Sequence, residues 1–274
     1  MSNNVTTELM MVSPEQAKAW LSVNTSNRNL RELHVRGLAA DMEAGNWQWN
    51  GDSIKFAADG TLLDGQHRLN AIIRSGKSIQ VLVIGGLPSG TQDTMDTGRK
   101  RTLSDALKLR GEKNSSALAS GLRACYIWDQ GSRKVGGSRG DVTNSRLLEY
   151  LEENPDIREH VLTSARVNHQ IKIPPQALII AIKVLTEIDR EDAEYFFERL
   201  RSSENHHSGE PIHELRELLL REQAGLNRTR TKRDATWKLA VIFKAWNKYR
   251  LGETTRKLYF APGGANPEKF PEPF

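Results

Sequence analysis

The chain reads Leu62-Leu63-Asp64-Gly65-Gln66-His67-Arg68-Leu69-Asn70-Ala71-Ile72 at the point where a short apolar strand bends into a helix. A helix N-terminus offers unpaired backbone N–H groups and the positive end of the helix dipole. Gly65 lets a ligand approach the backbone closely, and His67 and Arg68 add side-chain donors. The run therefore predicts an anion site. A purely structural turn, in which Asp64 caps the helix and pairs with Arg68, is the alternative.

The residues around this turn predict a small mixed α/β domain. Ser13 and Pro14 have the residue types of a helix start, and Leu30 to Ala44 repeats apolar residues at helical spacing. Alternation over Ser53-Ile54-Lys55-Phe56 predicts a strand, and so does the β-rich run Ser78 to Ile84.

The run DGQHRLNAI between a strand and a helix resembles the DGQHR-type members of the ParB/sulfiredoxin-like superfamily. In ParB-type proteins the matching segment holds nucleotide phosphates, so the resemblance implies that Gly65, Gln66, His67 and Arg68 bind phosphate. It covers roughly residues 12 to 107. The turn lacks the sulfiredoxin cysteine, which argues against sulfinic-acid reductase activity.

A second segment, Asp96-Thr97-Gly98-Arg99-Lys100-Arg101-Thr102-Leu103-Ser104-Asp105, follows the last predicted strand. ParB-type proteins place a segment that approaches the nucleotide and its metal in a similar position. Arg101 falls near the arginine of that segment, so we expect Arg99, Lys100 and Arg101 to neutralise a triphosphate. Ser104 is predicted to lie with them in the nucleotide site, and either Ser104 or Thr102 caps the following helix. Because the chain departs from the family pattern at Gly98 and at Gln66-His67, metal binding, the choice of CTP or ATP and hydrolysis stay open.

From Thr102 onward, apolar residues recur at three-to-four spacing and predict helices. The predicted fold class is therefore α+β: a small mixed α/β, ParB/sulfiredoxin-like N-terminal domain over 1–107, then a mostly helical domain over 108–260. Residues 261–274 hold four prolines and form a Pro-rich tail without predicted regular structure.

The C-terminal helical part carries a local excess of positive charge. The net charge of the chain is +5, but Arg221 to Lys257 contains eleven Lys or Arg and three Asp or Glu. This distribution favours either a nucleic-acid contact or a solvated lysine-rich helix. The residues predicted to contact nucleic acid are Arg228, Arg230, Lys232, Arg233, Lys244 and Lys248, and Trp246 is either a core residue or a base-stacking one.

Three functions fit these features. The first is a nucleotide-dependent DNA-associated protein that binds CTP or ATP, with Mg²⁺ as a candidate counter-ion, at the DGQHR turn. The second is a ParB-like enzyme (an NTPase, nuclease or small-molecule kinase) in which Asp64 and His67 are catalytic. The third is a non-catalytic DNA-binding regulator. A homodimer is a further candidate assembly.

Composition restricts the cellular setting. No stretch approaches the ~20 apolar residues of a membrane span, and Met1 to Thr7 lacks the pattern of a secretory signal. Cys125 is the single cysteine and lies in an apolar run, which predicts a buried thiol and excludes an internal disulfide. We therefore predict a cytoplasmic protein without membrane partners.

Overall fold

A computed structural model describes residues 5–23, 30–95, 101–136, 142–202, 204, 207–226 and 233–274, with the side chains of 92–94 excepted. By its internal contacts the chain divides into two units. The first comprises Met1–Arg101 and Ser138–Glu149, and the second comprises Thr102–Gly137 and Tyr150–Phe274.

The first unit contains a mixed four-stranded sheet in the order β1-β4-β2-β3. The strands are β1 (Thr6–Val12), β2 (Ser53–Ala57), β3 (Leu62–Asp64) and β4 (Ile79–Leu87). β1 runs antiparallel to β4, β4 parallel to β2, and β2 antiparallel to β3. The short strand β3 therefore lies at one edge of the sheet and ends directly before the turn at Gly65.

Helices α1 (Pro14–Leu21), α2 (Glu32–Glu43) and α3 (Gln66–Ser75) belong to the same unit. Their buried residues form one apolar core with the sheet: Val12, Ala17, Val35, Ala39, Met42, Ile54, Leu62, Leu69, Ala71, Ile72, Ile79 and Val81. Burial of this apolar surface is the main stabilising contribution to the unit.

The predicted elements of the first unit are confirmed, with shifted boundaries. Ser13 caps α1 by accepting a hydrogen bond from the Gln16 amide at 3.2 Å. α3 begins at Gln66, directly after the predicted turn, with the left-handed Gly65 at its N-cap. β4 extends to Leu87.

The second unit is helical in the residues that the structure describes, and the predicted α+β class is confirmed at this level. Its helices are α4 (Leu103–Leu109), α5 (Ser115–Asp129), the last turn of α6 (Asn144–Glu153), α7 (Ile157–Gln170), α8 (Pro175–Ile188), α9 (Arg190–Arg201), α10 (Pro211–Gln223) and α11 (Ala235–Arg250).

The boundary between the units lies at Arg101, before the position 107 that the sequence suggested, and residues 138–149 join the first unit. Here the Thr143 hydroxyl donates to Asp41 Oδ1 of α2 at 2.9 Å. A contact between positions so distant along the chain leaves no local signal in the sequence.

Helices α8 and α11 carry the core of the second unit. α11 buries Trp237, Phe243 and Trp246 together with its aliphatic residues, and α8 buries nearly all of Ala177 to Leu185. Cys125 of α5 is fully buried, as predicted, and burial raises the pKa of its thiol to about 12. The thiol is therefore inert at neutral pH.

The Pro-rich tail has no regular structure, but it is anchored to the second unit. The ring of Phe270 contacts the rings of Trp128, Phe243 and Phe260. Arg133 donates to both carboxylate oxygens of Glu272, at 2.7 and 3.1 Å. No helix in the described part of the chain is long and apolar enough to cross a membrane.

Candidate functional site

The turn between β3 and α3 depends on Gly65. Its φ of 110° and ψ of 1° fall in a region that side chains disfavour. A Cβ at this position would lie 3.0 Å from Cγ1 of Ile54 on β2. Glycine is therefore required both by the backbone conformation and by the closeness of β2.

The Asp64 carboxylate accepts three hydrogen bonds at the β3–α3 corner, the turn from Asp64 to Arg68 with Lys55 beside it. Its Oδ1 accepts from the Gly65 amide at 2.7 Å, and its Oδ2 accepts from Lys55 Nζ at 3.1 Å and from Arg68 Nη2 at 3.3 Å. The Asp64–Arg68 ion pair of the structural alternative is thus present. Two cations share one carboxylate, so the three side chains carry a formal charge of +1.

Lys55 is a site residue that the sequence analysis missed. It was assigned only to an alternating strand, yet its register partner on β3 is Asp64. Opposite charges at paired positions of antiparallel strands lie within contact distance, so correct strand pairing would have revealed this residue.

Arg68 retains hydrogen-bonding capacity. Its side chain is 15% exposed, and its Nη1 is buried without a hydrogen-bond partner in the described residues. A buried N–H group without a partner costs about 1–3 kcal/mol. The backbone amides of the first turn of α3, from Gln66 to Arg68, likewise have no partner within the helix.

His67 faces the start of α2. Its Nε2 accepts a hydrogen bond from the Arg31 amide at 3.1 Å, and its ring centroid lies 5.2 Å from that of His34. An accepting Nε2 places the proton of the neutral ring on Nδ1. Gln66 is half-buried, and its carbonyl accepts from Asn70 Nδ2 at 2.8 Å.

The second predicted phosphate segment is described only in part. Arg99 and Lys100 lie outside the described residues, and Arg101 is exposed. Thr102, with Asp105, forms the capping box of α4. Of the two predicted caps, Thr102 is confirmed, whereas the hydroxyl of Ser104 lies 3.2 Å from that of Ser115.

The proposed catalytic pair is occupied by other contacts. Both Asp64 oxygens already accept hydrogen bonds from the chain, and His67 Nε2 already accepts from Arg31. A general base needs a free lone pair within reach of the proton that it removes. A carboxylate offers about four lone-pair sites, so the three donors leave Asp64 one site for a further contact.

Three of the predicted nucleic-acid-binding cations of the C-terminal region are each paired with a carboxylate. Lys244 pairs with Glu268, Arg233 pairs with Glu222, and Lys248 Nζ lies 2.7 Å from Glu253. Arg228, Arg230 and Lys232 lie outside the described residues. The base-stacking hypothesis for Trp246 is wrong, because its side chain is fully buried against Phe196.

No set of three or more His, Cys, Asp or Glu side chains is arranged to hold a metal ion among the residues that the structure describes. Comparison with protein-family models, curated proteins and solved structures finds no match for this chain. The ParB/sulfiredoxin-like resemblance therefore remains a resemblance of the DGQHR run and its neighbours.

Proposed function

We propose that the chain is a nucleotide-dependent DNA-associated protein and that the β3–α3 corner holds the phosphates of CTP or ATP. The observation that carries this proposal is the convergence of Lys55, Gly65 and Arg68 on one carboxylate, next to a buried guanidinium nitrogen without a partner. The nucleotide itself is implied by the resemblance of the DGQHR run.

In this proposal Asp64 occupies the anion position of the resting state. Its carboxylate makes the contacts that a phosphate oxygen would make with the amide, the ammonium and the guanidinium. A phosphate carries more negative charge and more acceptor oxygens than a carboxylate, so it can displace Asp64 and also reach Arg68 Nη1. Nucleotide binding then releases Asp64 from Arg68.

Calorimetric titration with CTP and with ATP, each with Mg²⁺, tests the proposal. We expect binding by the wild type and at least a tenfold weaker affinity in Arg68→Ala. Arg74→Ala is the matched control, because Arg74 lies on the same helix but pairs with Glu32 at its other end. Absence of binding by the wild type, or equal binding by Arg68→Ala, would show that the turn is structural only.

DNA contact is the second part of the proposal, and its support is the charge distribution of the sequence. Since Arg233, Lys244 and Lys248 are each paired with a carboxylate, we assign the main phosphate contacts to Arg228, Arg230 and Lys232. Retention of a DNA duplex measured over a range of salt, with and without nucleotide, tests this part. DNA retention that does not change with nucleotide would favour the alternative of a non-catalytic DNA-binding regulator.

The enzymatic alternative is tested on the same corner. If Asp64 and His67 act in catalysis, the formation of product from CTP, ATP or DNA must be lost in Asp64→Asn and in His67→Gln. Turnover that survives both substitutions would exclude these catalytic roles.

A further inference from the structure

Strand β1 lies at one edge of the four-stranded sheet. Its neighbour in the sheet is β4, and no other strand of the described residues pairs with it. An edge strand presents a row of backbone N–H and C=O groups that can pair with another chain. Proteins commonly block such edges with Lys or Pro, but Thr6–Val12 contains neither.

One face of β1 is apolar and exposed. Val12 is buried and Met10 packs against the core of the first unit, so Thr7, Leu9 and Met11 point to the opposite face. Leu9 is 46% and Met11 62% exposed. Leu82 and Ile84, the β4 partners of Leu9 and Thr7, are half-buried and continue this apolar face into the sheet.

We propose that β1 pairs antiparallel with β1 of a second copy, with the two Leu9 residues opposite each other on the two-fold axis. Leu9 is the midpoint of Thr6–Val12, so this register pairs every residue of the strand. Residues 7 and 11 are then opposite each other, as are residues 8 and 10. The two sheets become one continuous eight-stranded sheet.

Charge disfavours a neighbouring register, the one with the axis at position 8. Glu8 is the one charged residue of β1. A two-fold axis at position 8 would place the two Glu8 carboxylates directly opposite each other, and like charges in that position are destabilising. With the axis at Leu9, each Glu8 faces an uncharged Met10.

A second copy is the occupant that fits this strand best, because antiparallel pairing of identical strands is self-complementary. The pairing places Leu9 of one copy directly opposite Leu9 of the other, and each Met11 opposite Thr7 and diagonally beside Leu9 of the second copy. One symmetric contact thus gives hydrogen-bond partners to the outer backbone N–H and C=O groups of β1 and covers its apolar side chains.

Sedimentation velocity tests the dimer with two variants of opposite charge at Leu9, the residue on the two-fold axis. We expect the wild type to sediment as twice 30.8 kDa. Leu9→Lys alone and Leu9→Glu alone should sediment as monomers, and an equimolar mixture of the two should again form dimers. Leu109→Lys, at an exposed leucine of the second unit, is the control and should behave as the wild type.

A monomeric wild type, or a Leu9→Lys variant that remains fully dimeric, would overturn the proposal. Circular dichroism of Leu9→Lys shows whether this variant is folded. Leu9 is half-exposed, so we expect an unchanged helical signal.

Disulfide trapping gives a second readout that does not depend on affinity. Cys125 is buried, so introduced thiols can be followed cleanly. Directly opposite residues place their Cβ atoms about 4.5–5.5 Å apart, near the range that a disulfide needs. Leu9→Cys should therefore crosslink with itself under mild oxidation. Thr7→Cys should crosslink only when it is mixed with Met11→Cys, and self-crosslinking of Thr7→Cys would contradict the register.

Discussion

The β3–α3 corner and helix α11 with its neighbours are both rich in cations, but the cations of the two regions differ in how they are paired with carboxylates. At the corner, Lys55 and Arg68 share the single carboxylate of Asp64, and one guanidinium nitrogen has no partner among the described residues. Around α11, Lys244 and Lys248 each have a carboxylate of their own.

This difference shows that local charge density along the sequence does not reveal which cations have a counter-ion of their own in the fold. What matters is whether each cation meets its own counter-ion in the fold. The partners of the C-terminal cations come from other parts of the chain: Arg250, for example, reaches Asp189 of the α9 N-cap at 2.8 Å. Paired surface ions contribute little to the field that attracts nucleic acid.

The largest expected effect comes from Gly65→Ala. A residue with a side chain at this φ costs about 1–2 kcal/mol, and overpacking against Ile54 adds about 1–3 kcal/mol. We expect faster hydrogen exchange of the α3 amides, reflecting a destabilisation of about 2–5 kcal/mol. Gly76→Ala is the control, since it has a positive φ but no atom within 4 Å of its Cβ, and it should cost about 1 kcal/mol. Equal effects at both positions would refute the close approach of Ile54 to Gly65.

A smaller effect is expected from Asp64→Asn, which leaves both corner cations without a counter-ion. The substitution should lower the free energy of unfolding by about 1–2 kcal/mol, because it removes charge-assisted hydrogen bonds. It should also raise the affinity for inorganic phosphate several-fold in calorimetry, because the resident anion is gone. Lower phosphate affinity in Asp64→Asn would contradict displacement of Asp64 by the ligand.

The second unit also contains a buried imidazole, that of His160. It lines a cavity of about 30 Å³ with Glu159, Thr163, Thr186 and Arg190, among other residues. Burial lowers the pKa of His160, against the opposing effect of Asp156 and Glu159.

Because its folded-state pKa lies below the unfolded value, His160 binds fewer protons in the folded protein than in the unfolded chain. The second unit should therefore lose stability as the pH falls below about 6.5, the ordinary histidine value. The thermal midpoint measured between pH 7.5 and pH 5 checks this. His160→Gln should show a shallower decline over that range, and an identical decline would assign the effect to other groups.

The smallest effect is expected at the paired cations. Lys244→Gln with Lys248→Gln should change the salt dependence of DNA retention by less than the ~0.9 expected for a single phosphate interaction. Stability should change by less than about 1 kcal/mol for each pair. Replacing Arg228, Arg230 and Lys232 by Gln gives the comparison, with the salt slope reduced by about 0.9 for each phosphate that is no longer neutralised. A large effect from the Lys pair would show that its ion pairs open on DNA.

Local sequence signals predicted most of the fold and part of the site. Ser13 before Pro14 gave the start of α1, and alternation over Ser53–Phe56 gave β2, because these patterns act over a few residues. The glycine of the turn and the ion pair of Asp64 with Arg68 are local in the same way.

What the sequence could not supply are contacts between distant segments. The strand register that brings Lys55 to Asp64, the Thr143–Asp41 hydrogen bond and the pairing of Lys244 with Glu268 all depend on the folded chain. Trp246 illustrates the same point. The sequence left it open between a core position and base stacking, and the packing of Phe196 confirms the core position.

The central position of α11 has a consequence for synthesis on the ribosome. Nascent domains fold as their residues emerge, at about 5–20 residues per second. The first unit waits for residues 138–149, which leave the ribosome about 2–10 s after Arg101. The second unit waits longer still, since Trp237, Phe243 and Trp246 of α11 leave the ribosome late, and Phe260 and Phe270 follow them. Until then the apolar surfaces of α5 and α8 are open to chaperones.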